Sequence, residues 1–487
     1  MTCPVIQKGR VMEGYILSRS ASIISLIAVC LFFAAIGIYY SKKFSGLNNY
    51  LTANRNIGFF SLTTSLVASA LGAWILFGPS SAATWGGIGA VIGYALGTAF
   101  PMFFLIFLGK KIRNENKNGS SLVEFIKKKF QKNFFKFILL LTIFYLFIFL
   151  CAEVTAISIL LNYLSGIDLW ITALCILFFT LIYTLYGGLR VSIFTDNFQL
   201  IFIIIFLLIA FVSIILNNNE NLGLDFVRTN NKHLLSPSYL NNYTAGLTFF
   251  IAVAATNLFH QGNWQRVYAA KNNKILHKSL IVSGLIIIPI VFSMGYTGLI
   301  SKSLNADVSP DLSFFSLLLI NQNQFLAFLV IVLGLSLTIS TVDTLINAIS
   351  SSIIVDGKFF HKLKVSKSLN YSKYLIIIMS IVVFFISSRG YSVLYLFLLA
   401  DLLCCCFVLT VFYSFYNKSL KLKNMYISII IGLLFGILFF PSMDFSKSIL
   451  VGILLPIEAF PVFIVNSLLF ISFMLATITP MLAWKLK

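Results

Sequence analysis

Charge is scarce in this chain, and acidic charge is the scarcest. Charged residues make up 10% of the sequence, and its 15 Asp and Glu are outnumbered by 35 Lys and Arg. A soluble protein of several domains carries far more charge, so this composition excludes that class. Hydrophobic residues make up 59% and lie in long uncharged runs, which predicts an all-α polytopic membrane protein embedded in a lipid bilayer. The net charge of +20 would suggest a nucleic-acid partner only in a soluble protein, so we expect none here.

Residues that bind transition metals or perform nucleophilic chemistry are also sparse. The 4 histidines are dispersed along the chain, and none lies near a candidate nucleophile. Of the 7 cysteines, all but Cys3 lie in apolar segments, so they predict no disulfide framework. We therefore expect a protein without enzymatic activity.

The apolar runs predict about thirteen transmembrane helices. With the N-terminus outside the cell and the C-terminus inside, 27 of the 35 Lys and Arg lie in cytoplasmic segments, so the positive-inside rule predicts this orientation in the cell membrane. The predicted helices cover residues 21–40, 58–79, 83–108, 135–164, 168–187, 193–217, 243–262, 279–300, 323–355, 372–388, 391–414, 425–441 and 463–484.

Two of these predicted helices are interrupted at matching places. The helix at 58–79 contains Gly72, and the helix at 243–262 runs into Gly262 and a polar residue after it. The second follows the first by five spans, an odd number, so the two halves must be inverted with respect to the membrane. Paired interrupted helices in inverted repeats indicate a secondary transporter with its sites at the midplane. The alternative is that these glycines only permit close helix packing.

The predicted helix at 323–355 carries a polar stripe on an otherwise apolar surface. A carboxylate near the middle of a membrane costs at least about 2.5 to 3.5 kcal/mol, so Asp343 should face protein, water or a cation. Hydroxyls beside a carboxylate suit a hard monovalent cation such as Na⁺. Alternatively, the stripe only joins helices through hydrogen bonds. Its members are Ser336, Ser340, Asp343, Thr344, Asn347 and Ser351.

Three segments resemble signature stretches of the sodium:solute symporter family, which includes carriers of proline, pantothenate, glucose, urea and sialic acid. They are YTLYGGLRVSIFTDNFQ at 183–199, NWQRVYAAKN at 263–272 and STVDTLINAISS at 340–351. The resemblance implies a leucine-transporter-type fold of inverted five-helix repeats and Na⁺-driven uptake by alternating access, and we expect the protein to act as a monomer. The implied divisions are an N-terminal tail and extra helix (1–57), a first repeat (58–217), an extracellular loop (218–242), a second repeat (243–414) and two C-terminal helices (415–487).

The resemblance also implies where sodium binds. The site shared by the family would here consist of the backbone carbonyls of Ala68, Leu71 and Leu337 and the hydroxyls of Ser340 and Thr341.

Some members of the family have a second sodium site, which here would comprise Asp196, Ser340, Asp343 and Thr344. Many relatives carry a hydroxyl where this chain has Asp343, so the number of ions per substrate stays open. For Asp196, a helix N-cap after Thr195 or a partner for Arg190 is the alternative.

Five residues are candidates for substrate contact: Glu153, Trp74, Asn257, Gln261 and Asp401. A buried carboxylate could bind the amino or amide group of a small polar solute, such as an amino acid or a urea-like compound, or relay a proton. Alternatively, both acids are hydrogen-bonded to neighbouring helices and inert, Trp74 is a core residue, and Gln261 caps a helix. A proton-coupled or uncoupled carrier of the same fold is the alternative function.

Overall fold

The chain is helical in the computed structural model, which describes residues 15–44, 46–130, 132–218, 222–356, 365–417, 420–443, 445, 448 and 467–485. Within these ranges there are isolated β-bridges but no β-sheet. The predicted N-terminal tail up to residue 14 and the first four residues of the predicted helix 463–484 lie outside the described ranges.

Seventeen α-helices follow one another in the described part of the chain. They are α1 Arg19–Ser41, α2 Leu47–Thr52, α3 Phe59–Ala70, α4 Gly78–Glu115, α5 Leu122–Lys129, α6 Lys132–Ser165, α7 Leu169–Asn217, α8 Leu224–Asn231, α9 Leu240–Phe259, α10 Gln261–Ala269, α11 Asn273–Leu304, α12 Ser313–Leu318, α13 Gln324–Ser351, α14 Val365–Ser387, α15 Val393–Ser414, α16 Leu422–Phe439 and α17 Leu468–Ile478. Short 3₁₀ turns join several of them, and a π-helical turn, Ser352–Asp356, follows α13.

Nine helices in the described part are long and apolar enough to cross a membrane. Large apolar side chains stand exposed on their outer faces, for example Phe107 on α4, Leu140 on α6 and Leu434 on α16. Such an exterior belongs in hydrocarbon, because a water-soluble protein would expose large apolar patches only at binding surfaces. The prediction of an all-α polytopic membrane protein is confirmed, while the number thirteen stays a prediction.

The two longest helices, α4 and α7, each contain a break at a glycine in the left-handed region. Gly87 has φ +60° and Gly188 has φ +59°. A Cβ on Gly87 would lie 2.2 Å from the Asn242 side-chain oxygen, so neither the backbone angle nor the space admits another residue. The predicted boundary between 58–79 and 83–108 is therefore wrong, because the helix runs from Gly78 to this turn without interruption.

Both predicted helix breaks exist. The first helix ends at Ala70, Leu71 leaves helical geometry (φ −103°, ψ 84°), and helical structure resumes only with a 3₁₀ turn at Ala73–Leu76 and then α4. The second break lies at His260, between α9 and α10. The predicted end of that helix at residue 262 is wrong, since α10 continues to Ala269.

The polar stripe of α13 faces the interior of the bundle. This helix packs against α3, α6, α7 and α10, and every residue from Leu333 to Ser351 is buried. Both broken helices and α7 therefore pack against α13. All six stripe residues are therefore in contact with protein and shielded from lipid.

Candidate functional site

A fully buried ion pair joins Asp196 on α7 to Arg266 on α10. The distance from Asp196 Oδ2 to Arg266 Nη2 is 2.8 Å, and both side chains have 0% exposure. Ser65 on α3 donates to Oδ2 at 2.5 Å, and Ser340 on α13 donates to Oδ1 at 2.7 Å. Four helices thus meet at one carboxylate, and both of its oxygens accept hydrogen bonds.

Arg266 completes the same network. Its Nε donates to Ser65 Oγ at 2.7 Å, Nη1 to the Gly262 carbonyl at 3.1 Å, and Nη2 also to Thr344 Oγ1 at 3.0 Å. Sequence reasoning missed this residue, since it was counted among the cytoplasmic positive charges, and it lies instead inside the protein. The helix break could have indicated the buried position of Arg266, because a helix that restarts at residue 261 places Arg266 inside the bundle. Arg190, the alternative partner of Asp196, donates to the Ala53 carbonyl at 3.1 Å.

Asp343 has different partners. Thr184 Oγ1 donates to its Oδ1 at 3.3 Å, Thr195 Oγ1 donates to its Oδ2 at 3.3 Å, and Asn347 Nδ2 donates to Oδ1 at 2.6 Å. All three donors are neutral. The residues of the predicted second sodium site therefore form two groups, one centred on Arg266 with Asp196, Ser340 and Thr344, and the other on Asp343.

The residues of the predicted first sodium site lie on α3 and α13, which pack together. Because α3 ends at Ala70, the Ala68 carbonyl lies in the last turn, where helix carbonyls lose their intrahelical donors. Thr341 Oγ1 is buried and has no hydrogen-bond partner among the described residues. Ser340, in contrast, donates to Asp196. The proposed ligand set thus includes one hydroxyl without a partner among the described residues and, at Ala68 and Leu71, carbonyls at the end of α3, while Leu337 lies in the interior of α13.

Glu153 lies at the first helix break. Its Oε2 accepts a hydrogen bond from the Ala73 backbone N–H at 2.9 Å, and the side chain is completely buried in the middle of α6. The backbone N–H of Trp74 also faces this carboxylate. This candidate substrate ligand therefore holds the backbone of the break.

The other candidate acid, Asp401 on α15, accepts a hydrogen bond from Thr256 Oγ1 at 2.6 Å. Trp74 stacks on Tyr94 with ring centroids 5.6 Å apart, and Tyr94 stacks on Phe249 at 4.6 Å. The three aromatic rings form a continuous stack between the first break and α9.

Asn257 and Gln261 bind backbone on either side of the second break. Asn257 Nδ2 donates to the Val253 carbonyl at 3.0 Å, within its own helix. Gln261 accepts from Leu122 N at 3.3 Å and donates to the Ser120 carbonyl at 3.4 Å, so its side chain joins the segment that begins α5. Their substrate roles stay predictions. The cap of α10 is His260, the residue before Gln261, because its Nδ1 accepts from Gly262 N at 3.1 Å.

Comparison with known proteins agrees with this architecture. A solved Na⁺-coupled sialic acid symporter, in a substrate-bound outward-open state, superposes with a TM-score of 0.72 at 14% sequence identity, covering 97% of this chain and 96% of the other. This likeness confirms the fold.

Two curated relatives also match. A spermidine transporter of Candida albicans is 25% identical over 78% of this chain and 72% of its own length. A sodium/glucose cotransporter of Vibrio parahaemolyticus is 24% identical over 39% of this chain and 36% of its own length. The sequence profile of the sodium:solute symporter family matches residues 50–432, so this chain belongs to the sodium:solute symporter family.

Proposed function

We propose that the protein is a Na⁺-coupled symporter that takes up a small organic solute bearing N–H groups, by alternating access. Family membership supports sodium-coupled solute transport. The observation that carries the sodium assignment is Thr341 Oγ1, a buried hydroxyl without a hydrogen-bond partner among the described residues. It lies on α13, which packs against α3, and carbonyls in the last turn of a helix lose their intrahelical donors.

The proposed sodium ligands are the carbonyls of Ala68, Leu71 and Leu337 and the hydroxyls of Ser340 and Thr341. All five are neutral oxygens, which hold a hard monovalent cation without the strong attraction of a carboxylate. An ion held in this way can be released in every transport cycle. The same proposal includes uptake into the cell, an N-terminus outside the cell, a C-terminus in the cytoplasm and a monomeric state.

Sodium dependence of uptake in proteoliposomes at fixed pH tests the site. Removing one of five ligands leaves the ion incompletely coordinated, so Thr341→Ala should raise the half-saturating Na⁺ concentration about tenfold, or about 1.4 kcal/mol. Thr142→Ala is the matched control, because the Thr142 hydroxyl is equally buried but donates to the Ile138 carbonyl of its own helix at 2.8 Å. Equal sodium dependence of both variants would refute the assignment.

For the substrate, we propose an organic amine. The spermidine transporter is a relative over most of this chain, which supports this class. A protonated amine is attracted both by a carboxylate and by the faces of aromatic rings. Asp401 and the stack of Trp74, Tyr94 and Phe249 offer these two kinds of partner. Glu153, which is fully buried at the first helix break, is the second proposed acid.

A screen of labelled polyamines, amino acids, urea and sugars would identify the solute. Asp401→Asn should then weaken the affinity for a cationic amine by roughly tenfold or more, because the charge attraction is lost. Asp168→Asn, which removes a half-exposed acid paired with Arg19, is the control and should leave affinity unchanged. Transport of sugars alone, or unchanged affinity in Asp401→Asn, would count against the amine.

A proton-coupled carrier of the same fold is the second candidate, favoured by the neutral surroundings of Asp343. Uptake driven by a pH gradient in the absence of sodium would establish it. Uptake that requires a sodium gradient at equal pH on both sides would exclude it.

A further inference from the structure

An acid that the proposed function does not use lies at the end of the bundle where α15 begins. Asp311 belongs to the 3₁₀ turn Pro310–Leu312, between α11 and α12, and is partly exposed. Ser81 on α4 donates to its Oδ1 at 3.1 Å, and Ser392, the N-cap of α15, donates to its Oδ2 at 3.2 Å. Among the described residues, no Lys, Arg or His forms an ion pair with this carboxylate.

The aromatic stack connects Asp311 with Asp401. Tyr94, the middle ring of the stack, lies within electrostatic range of both carboxylates. Trp74 and Phe249 are the two rings stacked with it, at 5.6 Å and 4.6 Å between centroids. Asp401, like Asp311, forms no ion pair in the described part of the chain. Two acids without a cationic partner there thus share one aromatic neighbour.

Both carboxylates can accept further hydrogen bonds. Asp311 accepts one from each of two serines, and Asp401 accepts one from Thr256. An ionised carboxylate has about four acceptor positions, so each acid can also receive an ammonium group. The Ser313 hydroxyl, two residues after Asp311, is fully buried and has no hydrogen-bond partner among the described residues. It adds a polar atom without a partner to this end of the bundle.

The geometry of α15 sets the separation of the two acids. Asp401 follows Ser392 by nine residues, about 13 Å along the helix axis, and Asp311 is bonded to Ser392. An extended diamine with six methylene groups spans about 9 Å between its nitrogens. A charged hydrogen bond of about 2.8 Å at each end extends its reach to about 15 Å. A diamine of this length can therefore contact both carboxylates.

We propose that Asp311 is a second amine subsite, and that the solute is a linear amine whose two ammonium groups bind Asp311 and Asp401. The inference rests on the proposed amine uptake and deepens it, because that function needs only one ammonium group. Each ammonium group donates hydrogen bonds to one carboxylate and is attracted by the faces of the aromatic rings. The methylene chain between them packs on the same rings. A dication also compensates two acids that no side chain of the described residues neutralises.

Calorimetric binding of diaminohexane and aminohexanol to the purified full-length protein, at saturating sodium, tests the proposal. In aminohexanol a hydroxyl replaces the second amine, so wild type should bind diaminohexane about tenfold or more tightly. Asp311→Asn should lower the affinity for diaminohexane to that for aminohexanol and leave aminohexanol binding unchanged. Asp401→Asn should weaken the binding of both. Asp307→Asn is the control, because Asp307 is an exposed acid in the same segment and should affect neither amine.

The outcomes separate this inference from the proposed function. Equal affinity of wild type for the two amines, or a preference for diaminohexane that survives in Asp311→Asn, overturns the second subsite. Amine uptake then still stands if Asp401→Asn weakens aminohexanol binding. If wild type binds neither amine, both proposals are wrong. If Asp311→Asn does not fold, Asp311→Glu decides, because its carboxylate lies one methylene further out and should change the preference among diamines of different length, and an unchanged preference refutes the subsite.

Discussion

The two helix breaks are held by the same neighbouring helix, but with different chemistry. At the first break, the Glu153 carboxylate of α6 accepts the Ala73 N–H at 2.9 Å. At the second, the Tyr145 hydroxyl of α6 accepts the Gln261 N–H and donates to the Phe259 carbonyl, both at 3.3 Å. The two α6 residues are eight positions apart, about 12 Å along the helix axis. A single helix thus fixes both breaks.

The difference shows which break is held more firmly. The bond from the Ala73 N–H to Glu153 is 2.9 Å long, whereas both bonds of Tyr145 are 3.3 Å, so the first break has the stronger bond by geometry. The second break has weaker bonds to α6 but also a cap of its own, His260. The firmer break is the one beside the proposed sodium site. We infer that α6 holds the backbone of the proposed sodium site more rigidly than the backbone of the second break.

The largest effect should come from Gly72→Ala. A Cβ there would lie 2.2 Å from Glu153 Oε1 and 2.8 Å from Trp74 Cδ1, so the carboxylate must leave its place at the break. Because a misplaced sodium ligand set binds poorly, uptake at physiological sodium should fall roughly tenfold or more.

Gly58→Ala at the start of α3, the helix before the break, is the control, since a Cβ at Gly58 has no atom within 4 Å. Uptake in proteoliposomes decides, and equal activity of the two variants would show that the first break tolerates displacement of Glu153.

Glu153→Ala should have the next largest effect. It leaves the buried Ala73 N–H without an acceptor, which should destabilise the protein by about 1 to 3 kcal/mol. Glu153→Gln keeps an acceptor oxygen and should retain most of the stability.

Thermal unfolding of the detergent-solubilised protein measures this difference. Substrate affinity of the Gln variant gives independent information: a loss of affinity at unchanged stability would add a substrate role for the charge. Equal stability of Glu153→Ala and wild type would contradict the role at the break.

The smallest effect should come from Tyr145→Phe at the second break. Its two hydrogen bonds are neutral and long, so we expect a loss of about 0.5 to 1.5 kcal/mol in unfolding free energy. Tyr163→Phe, the same change near the other end of α6, is the control. A larger loss for Tyr145→Phe than for Glu153→Ala would reverse the ranking of the two breaks.

The sequence predicted the breaks because they interrupt long apolar runs. The first lies at Gly72, where it was expected, and the second at His260, two residues before the predicted end of the helix. The predicted helix ends were less accurate than the predicted breaks, because an apolar run does not show where the chain turns inside the membrane. Gly87 is an example: its left-handed turn depends on its fit against Asn242, 155 positions later.

The candidate site was predicted in part. The polar stripe of α13 is buried as expected, and Asp196 and Asp343 both lie in the bundle core. The position of Arg266 was missed, because a positive charge after a hydrophobic run resembles a cytoplasmic loop residue. The assignment of individual partners, Arg266 to Asp196 and Thr184 to Asp343, could not be read from spacing, since each pair joins different helices.

The sequence by itself determined the membrane class, the family and the two breaks in helical structure. These follow from local composition and motifs, because hydrocarbon requires apolar helices and any polar interruption in them stands out. Only the tertiary structure decided which buried acid is neutralised by an arginine and which is surrounded by neutral donors. That distinction depends on how four helices from distant parts of the chain pack together. Because hydrogen bonds form only at short range, their partners are known only once the helices are packed.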